Sequence, residues 1–297
     1  MPRGYSGRLW GEGTMYRGRA ATRARVRGRA PGLMVVAGLA IGVATTCAPA
    51  PIVDRGYELV FDEQFDGEEP RPHWVTAPFG GSLPATVEGG LMTLQATVTN
   101  DYRWGYIAST GPRLDTEPNY PFASAWEEGY FEARLRYTDD PWAWPAFWLF
   151  SMAKTEAWPD EDCRTLNAEW DIMENGVGNW DGAHPASSWF VSVLHRNTTD
   201  NTPDGYCDIA DEPILTTREF PDVDLSAWHT WAGRWSTDEM CTYLDGVEIE
   251  CVEPFDTTAQ PMHLVFTISY LGRCDGCPPR PAALEMQVDW VRVWQTD

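Results

Sequence analysis

The sequence predicts an all-β protein of two packed sheets, and three observations carry that expectation. Short runs that alternate apolar and polar residues recur along the chain: Leu91–Ala96, Tyr130–Tyr137, Trp189–Leu194, Trp228–Trp235, Met262–Tyr270 and Leu284–Trp294. Side chains on a strand point to opposite faces with period two, so such runs read as strands with one buried face. Turn residues, drawn from 26 glycines and 23 prolines, separate them at irregular intervals, and helical periodicity is hard to find. The third observation is size: from Gly56 to Asp297 the chain has some 240 residues with no repeat, low-complexity tract or internal linker, which one β-sandwich or barrel fills.

Charge removes other classes. The 297 residues carry 22 Lys+Arg against 44 Asp+Glu, a formal net charge of −22. A nucleic-acid binder has to neutralise phosphates with basic side chains, so no nucleic-acid partner is expected. At 43% hydrophobic and 13% aromatic the chain is too apolar for intrinsic disorder. No apolar run reaches the roughly 18–20 residues that span a bilayer. The 16 tryptophans exceed what a core alone needs.

Residues 1–47 read as an export segment. Eight arginines and one acid lie in residues 1–46, followed by an apolar run from Gly32 to Ala44 and then Thr45-Thr46-Cys47-Ala48-Pro49. Basic region, short apolar segment and small residues in that order are a secretory signal. The basic stretch before Arg23 is long for one, which makes Met15 a second candidate start. Cys47 admits two readings: a bacterial lipoprotein-type site, where it becomes a lipid anchor to the membrane, or ordinary cleavage nearby. Residues 48–55 form a short tether, and 56–297 form the working domain. The chain beyond residue 46 holds 14 basic and 43 acidic side chains, a charge of −29.

Six cysteines remain, Cys163, Cys207, Cys241, Cys251, Cys274 and Cys277, and an even number in an exported chain points to disulfides. Cys241 to Cys251 reads as two strands around an Asp245-Gly246 turn, which brings the two sulfurs together. Cys274 and Cys277 are close enough to staple a loop, leaving Cys163 with Cys207. A zinc site from the last four cysteines is the rival reading.

Chemistry concentrates in Asn167-Ala-Glu-Trp-Asp-Ile-Met-Glu-Asn175, just after the tryptophan-rich strand Trp144–Phe150. On a strand Glu169 and Asp171 share a face, but even alternation turns Glu174 into the core. A β-bulge near Ile172–Met173 restores Glu174 to the face of the other two. Acids at this spacing are expected about once by chance in so acidic a chain, so the setting carries the weight. Unpaired acids inside an otherwise uncharged strand cost stability. Glycoside hydrolysis uses such an array: one carboxylate attacks the anomeric carbon and another, kept protonated by its neighbours, donates to the leaving oxygen.

Glu169-Trp-Asp-Ile-Met-Glu-Asn175 resembles the signature of glycoside hydrolase family 16 in its bulged, laminarinase-like form. Leu59–Gly67, Glu88–Leu94, Gly129–Arg134, Trp144–Leu149, Tyr243–Gly246 and Val288–Val293 resemble further segments in the family's order. The resemblance implies a β-jelly-roll sandwich of two curved antiparallel sheets with an open substrate cleft. It assigns Glu169 as nucleophile, Asp171 as assisting carboxylate and Glu174 as general acid/base. Trp144 and Trp148 share a strand face and match family tryptophans, with Trp144 the better candidate for stacking on sugar and core packing the alternative for both. His195 matches a histidine facing the sugar, with a structural role as its alternative. Arg134 is a candidate for holding a hydroxyl or orienting a carboxylate, with a plain salt bridge as its alternative. Asp289 matches a position where some members bind calcium on the convex side, the one structural cation expected; the reaction requires no cofactor. Trp104, Trp126, Trp142 and Trp180 are unranked sugar platforms. Trp170 stands where an aliphatic residue is usual, which implies a repacked core.

The function so implied is a secreted or surface-anchored monomeric endo-β-1,3-glucanase, retaining, with a polysaccharide as its partner. The alternatives are a mixed-linkage glucanase, agarase or carrageenase on the same strand, or a non-catalytic carbohydrate-binding protein on the same fold.

Overall fold

The computed structural model of the protein describes residues 56–71, 74–76, 83–98, 105–109, 125–151, 168–175, 187–201, 207–220, 222–253, 261–271 and 279–296. The export segment and tether, Cys47, Cys163, Cys274, Cys277, Trp104 and Trp180 lie outside these residues, as does the side chain of Cys207.

Among the described residues there are sixteen strands and no helix. One sheet contains β1 (Tyr57–Glu63), β4 (Thr86–Glu88), β5 (Leu91–Thr97), β7 (Gly129–Tyr137), β12 (His229–Trp235), β13 (Met240–Leu244), β14 (Val247–Val252) and β16 (Ala283–Thr296). It runs β14-β13-β12-β7-β16-β5-β4, with β1 added on β16. The other contains β2 (Trp74–Thr76), β3 (Leu83–Pro84), β6 (Gly105–Ser109), β8 (Ala143–Ser151), β9 (Ala168–Glu174), β10 (Trp189–Asn201), β11 (Cys207–Glu219) and β15 (Met262–Tyr270). It runs β11-β10-β9-β8-β15-β6-β2, with β3 beside β6 as its one parallel pair.

The inward-facing residues of both sheets make the core. Phe131, Ala133 and Leu135 of β7 meet Phe147 and Leu149 of β8, Trp170 and Ile172 of β9 and Phe266 of β15 in one buried cluster. Trp170 is fully buried and meets Trp235 edge-on, so the unusual tryptophan is indeed a core residue. Its room comes from Gly233 on the facing strand β12. A Cβ there would stand 2.5 Å from Trp170 Cη2 and 2.8 Å from Ile172 Cγ1, distances that real Cβ atoms do not tolerate. Gly233→Ala is therefore expected to cost about 2–3 kcal/mol through overpacking, a fall in Tm of roughly 5–10 °C. In a double-mutant cycle with Trp170→Leu the cost of the double mutant should fall short of the sum of the two single costs by about 1 kcal/mol or more. Strictly additive costs in thermal melts would show that the glycine is there for another reason.

The β13–β14 hairpin forms as the sequence implies. Asp245 and Gly246 have φ of 50° and 77°, the left-handed pair that a two-residue turn of this hand requires. Cys241 and Cys251 face each other in register and are joined as a disulfide, so they are not zinc ligands.

The outer face of the first sheet decides between the two readings of Arg134. Glu132, Arg134 and Arg136 do share a face of β7, but β7 belongs to the sheet opposite the carboxylates. That face points away from both the core and β9. The Arg134 guanidinium is bonded to Asp289, which sits at a bulge in β16, and it lies over Trp228 at 4.7 Å. Arg134 thus takes the salt-bridge alternative and neither holds sugar nor orients a catalytic carboxylate. Asp289 lies on this same outer face, away from the carboxylates of β9, with its carboxylate paired to Arg134.

Candidate active site

Three strands assemble the site. On β9 the register against β10 runs Glu169↔His195, Asp171↔Val193 and Glu174↔Val191. Between Asp171 and Glu174 two residues of β9, Ile172 and Met173, stand against one of β10, Ser192, which is the expected bulge. On the other side Glu169 faces Phe150, Asp171 faces Trp148 and Glu174 faces Ala146 of β8, with Ile172 as the extra residue. Trp170, Ile172 and Met173 are buried in the core, so Glu169, Asp171 and Glu174 lie together on the opposite face of the sheet.

Each acid has a different environment. Asp171 is nearly buried, and His195 Nε2 stands 3.0 Å from its Oδ2. Glu174 is also nearly buried. With only the Ala146 methyl opposite it, the Trp144 indole two positions along β8 reaches across and donates from Nε1 to Glu174 Oε1 at 2.7 Å. Burial pushes the Glu174 pKa well above the ordinary carboxylate range. The charge of Asp171 raises it further, while the Trp144 hydrogen bond and the field of His195 act the other way. Glu174 is therefore a carboxyl whose surroundings favour its protonated form.

Trp148 stands on the same face, half-buried. Its ring meets Phe150 edge-on at 5.3 Å, and its Nε1 donates to Thr267 of β15 at 3.3 Å. The structure thus brings together Glu169, Asp171, Glu174, Trp144, Trp148 and His195, while Arg134 and Asp289 lie on the outer face of the other sheet. Of the unranked tryptophans, Trp126 is buried in the core, and Trp142 packs against the core under the Arg280 guanidinium. Asn175 is a supporting residue that alternation alone does not reveal. Fully buried, it donates from Nδ2 to the Trp189 carbonyl at 2.8 Å and to Tyr137 Oη at 3.2 Å, fixing the end of the catalytic strand. Its one sequence signal is an amide directly after the last acid, in a stretch that is otherwise core.

Two groups among the described residues bring metal-ligand atoms within 4.8 Å of one another. One is Glu239 with Cys241 and Cys251, whose sulfurs are bonded to each other. The other, Glu169, Asp171 and His195, is the acid cluster itself.

No protein-family model matches the chain. The endo-1,3-1,4-β-glycanase EglC of Rhizobium meliloti (strain 1021) is 26% identical over 231 residues, which is 74% of this chain and 41% of that protein. The chain thus spans about two fifths of that relative's length. The catalytic domain of an endo-1,3-β-glucanase (laminarinase) from Thermotoga petrophila RKU-1 superposes with a TM-score of 0.57 at 17% identity, covering 81% of this chain and 98% of that domain. The κ-carrageenase zobellia_236 of Zobellia galactanivorans does so with a TM-score of 0.58 at 18% identity, covering 81% and 96%. The fold is the jelly roll of family 16 laminarinases and carrageenases.

Proposed function

We propose that this chain is a retaining endo-β-glucanase of glycoside hydrolase family 16, acting on laminarin-like β-1,3-glucan. The observation that carries the reading is the bulge of β9, which gathers three acids on one face and buries Glu174 there beside Asp171, so that its pKa is raised. In the first step Glu169 attacks the anomeric carbon while Glu174 gives its proton to the departing glycosidic oxygen. The C–O bond breaks and a glycosyl ester forms on Glu169. In the second, Glu174, now ionised, takes a proton from water, whose oxygen attacks the same carbon and releases Glu169. Two inversions give retention. Asp171, with His195 Nε2 3.0 Å from its Oδ2, supplies the charge that raises the Glu174 pKa, and the Trp144 and Trp148 rings offer flat apolar faces to the sugar.

The match to an endo-1,3-1,4-β-glycanase supports a β-linked glycan. Charge supports a neutral one: at −29 the domain repels sulfated or uronic polymers. The basic and apolar start of the chain supports export, with Cys47 as the point of lipid attachment if the surface-anchored form is the real one. Purified protein should release reducing ends from laminarin more readily than from lichenan, and leave agarose and κ-carrageenan intact. NMR of early products should show the β anomer. Release from κ-carrageenan but not laminarin would overturn the substrate, and full activity in Glu169→Gln would overturn the mechanism.

A further inference from the structure

The bulge that delivers Glu174 creates a hydrogen-bonding problem. Ile172 and Met173 together face one residue of β10, Ser192, because Glu174 pairs with Val191 and Asp171 with Val193. A bulge disrupts the ladder locally. At this one a side chain ties the two strands together: Ser192 Oγ donates to the Asp171 carbonyl at 2.8 Å. The same hydroxyl accepts from Thr242 Oγ1 on β13 of the opposite sheet and from Trp170 Nε1, both at 3.1 Å. Its one donor and both lone pairs are used. Ser192 and Thr242 are fully buried, and Ser192 lies between the core residues Phe190 and Leu194 on the inward side of β10. A hydroxyl placed there costs free energy unless it is bonded, so the bond is the reason for the serine.

We propose that Ser192, tethered across the core by Thr242, is a positioning residue that fixes the β9 bulge and so places Glu174 beside Glu169 and Asp171. This rests on the reading of those acids as the catalytic set. Ser192 touches no reacting atom; it acts through the Asp171 carbonyl. Without it, the regular ladder becomes the competing arrangement, and that arrangement turns Glu174 toward the core.

The test uses the full chain carrying Ser192→Ala, Thr242→Val or Thr242→Ser. Ser192→Ala should lower kcat about 10–100-fold with KM within about twofold, and move the basic limb of the pH profile. Thr242→Val, nearly isosteric, should do the same more weakly, and Thr242→Ser should restore wild-type behaviour. The valine variant keeps the Ser192–Asp171 bond, so it reports on the tether even if Ser192→Ala folds poorly. Both variants within twofold of wild-type kcat, with unmoved pH limbs, would overturn the proposal. If the wild type cleaves no glycan, the catalytic reading fails on its own. Amide hydrogen exchange over residues 171–174 then decides the positioning role: faster exchange in Ser192→Ala supports it, and unchanged protection overturns it.

Discussion

Glu174→Gln is expected to inactivate the protein and to stabilise it. A positioned general acid contributes about 10²–10⁴-fold, so kcat on the β-glucan that the wild type cleaves should fall by that factor. An aryl glucoside with a good leaving group needs little protonation, so its glycosylation step should survive Glu174→Gln but not Glu169→Gln. That contrast separates the two roles. The stability effect follows from burial. Glu174 has a native pKa above its unfolded value of about 4.3, so its protonated form is the one the fold prefers. Its contribution is fully present below pH 4.3 and is lost as pH rises toward the native pKa. Glutamine, always neutral, escapes that loss. The variant should match the wild type near pH 4 and melt higher by at least about 2 °C at pH 8. Equal melting temperatures at pH 8 would mean that Glu174 is not held protonated by the fold.

The second large effect is acid lability from His263. This residue of β15 is 2% exposed, with its ring edge-on to Phe150 at 5.7 Å. Its Nδ1 meets no hydrogen-bond partner among the described residues. Burial pushes the pKa down to about 3, with only a backbone contact at Phe150 opposing. The unfolded value is about 6.5, so the fold prefers the neutral ring. Stability from this source is complete above pH 6.5 and drains as pH falls toward 3, amounting to about 2–5 kcal/mol by the end. His263→Phe, which suits the aromatic neighbour, should melt less steeply with falling pH, gaining on the wild type between pH 6.5 and 4. Parallel melting curves over that range would contradict a neutral buried histidine.

These arguments also mark how far the sequence can be read. Alternation located the strands well: Met262–Tyr270 is β15 to the residue, and Tyr130–Tyr137 lacks only Gly129 of β7. The bulge is legible because Glu174 is out of phase with Glu169 and Asp171, and regular alternation would turn it among the apolar side chains between the sheets. What alternation lacks is the identity of the sheet. Period two separates Arg134 from Phe131, but it does not say that β7 lies across the core from β9. The arginine's face could therefore be read as groove or solvent until the pairing was known. The Trp144–Glu174 bond depends on a diagonal reach between strands, which needs the register and a rotamer. Ser192 carried a faint signal, a lone hydroxyl on the inward phase between Phe190 and Leu194, but its partner Thr242 is fifty residues away.

The fit of Trp170 over Gly233 also fixes an order of mutational events. A glycine facing an aliphatic residue leaves only a small void, which a sandwich of this size survives. A tryptophan facing alanine has nowhere to go. Any lineage that arrived at this pair from an aliphatic residue and an alanine must have lost the methyl group first and gained the indole second. Anyone transplanting Glu169–Asn175 into another scaffold inherits the same constraint, because the motif brings its own demand on a strand it never contacts in sequence.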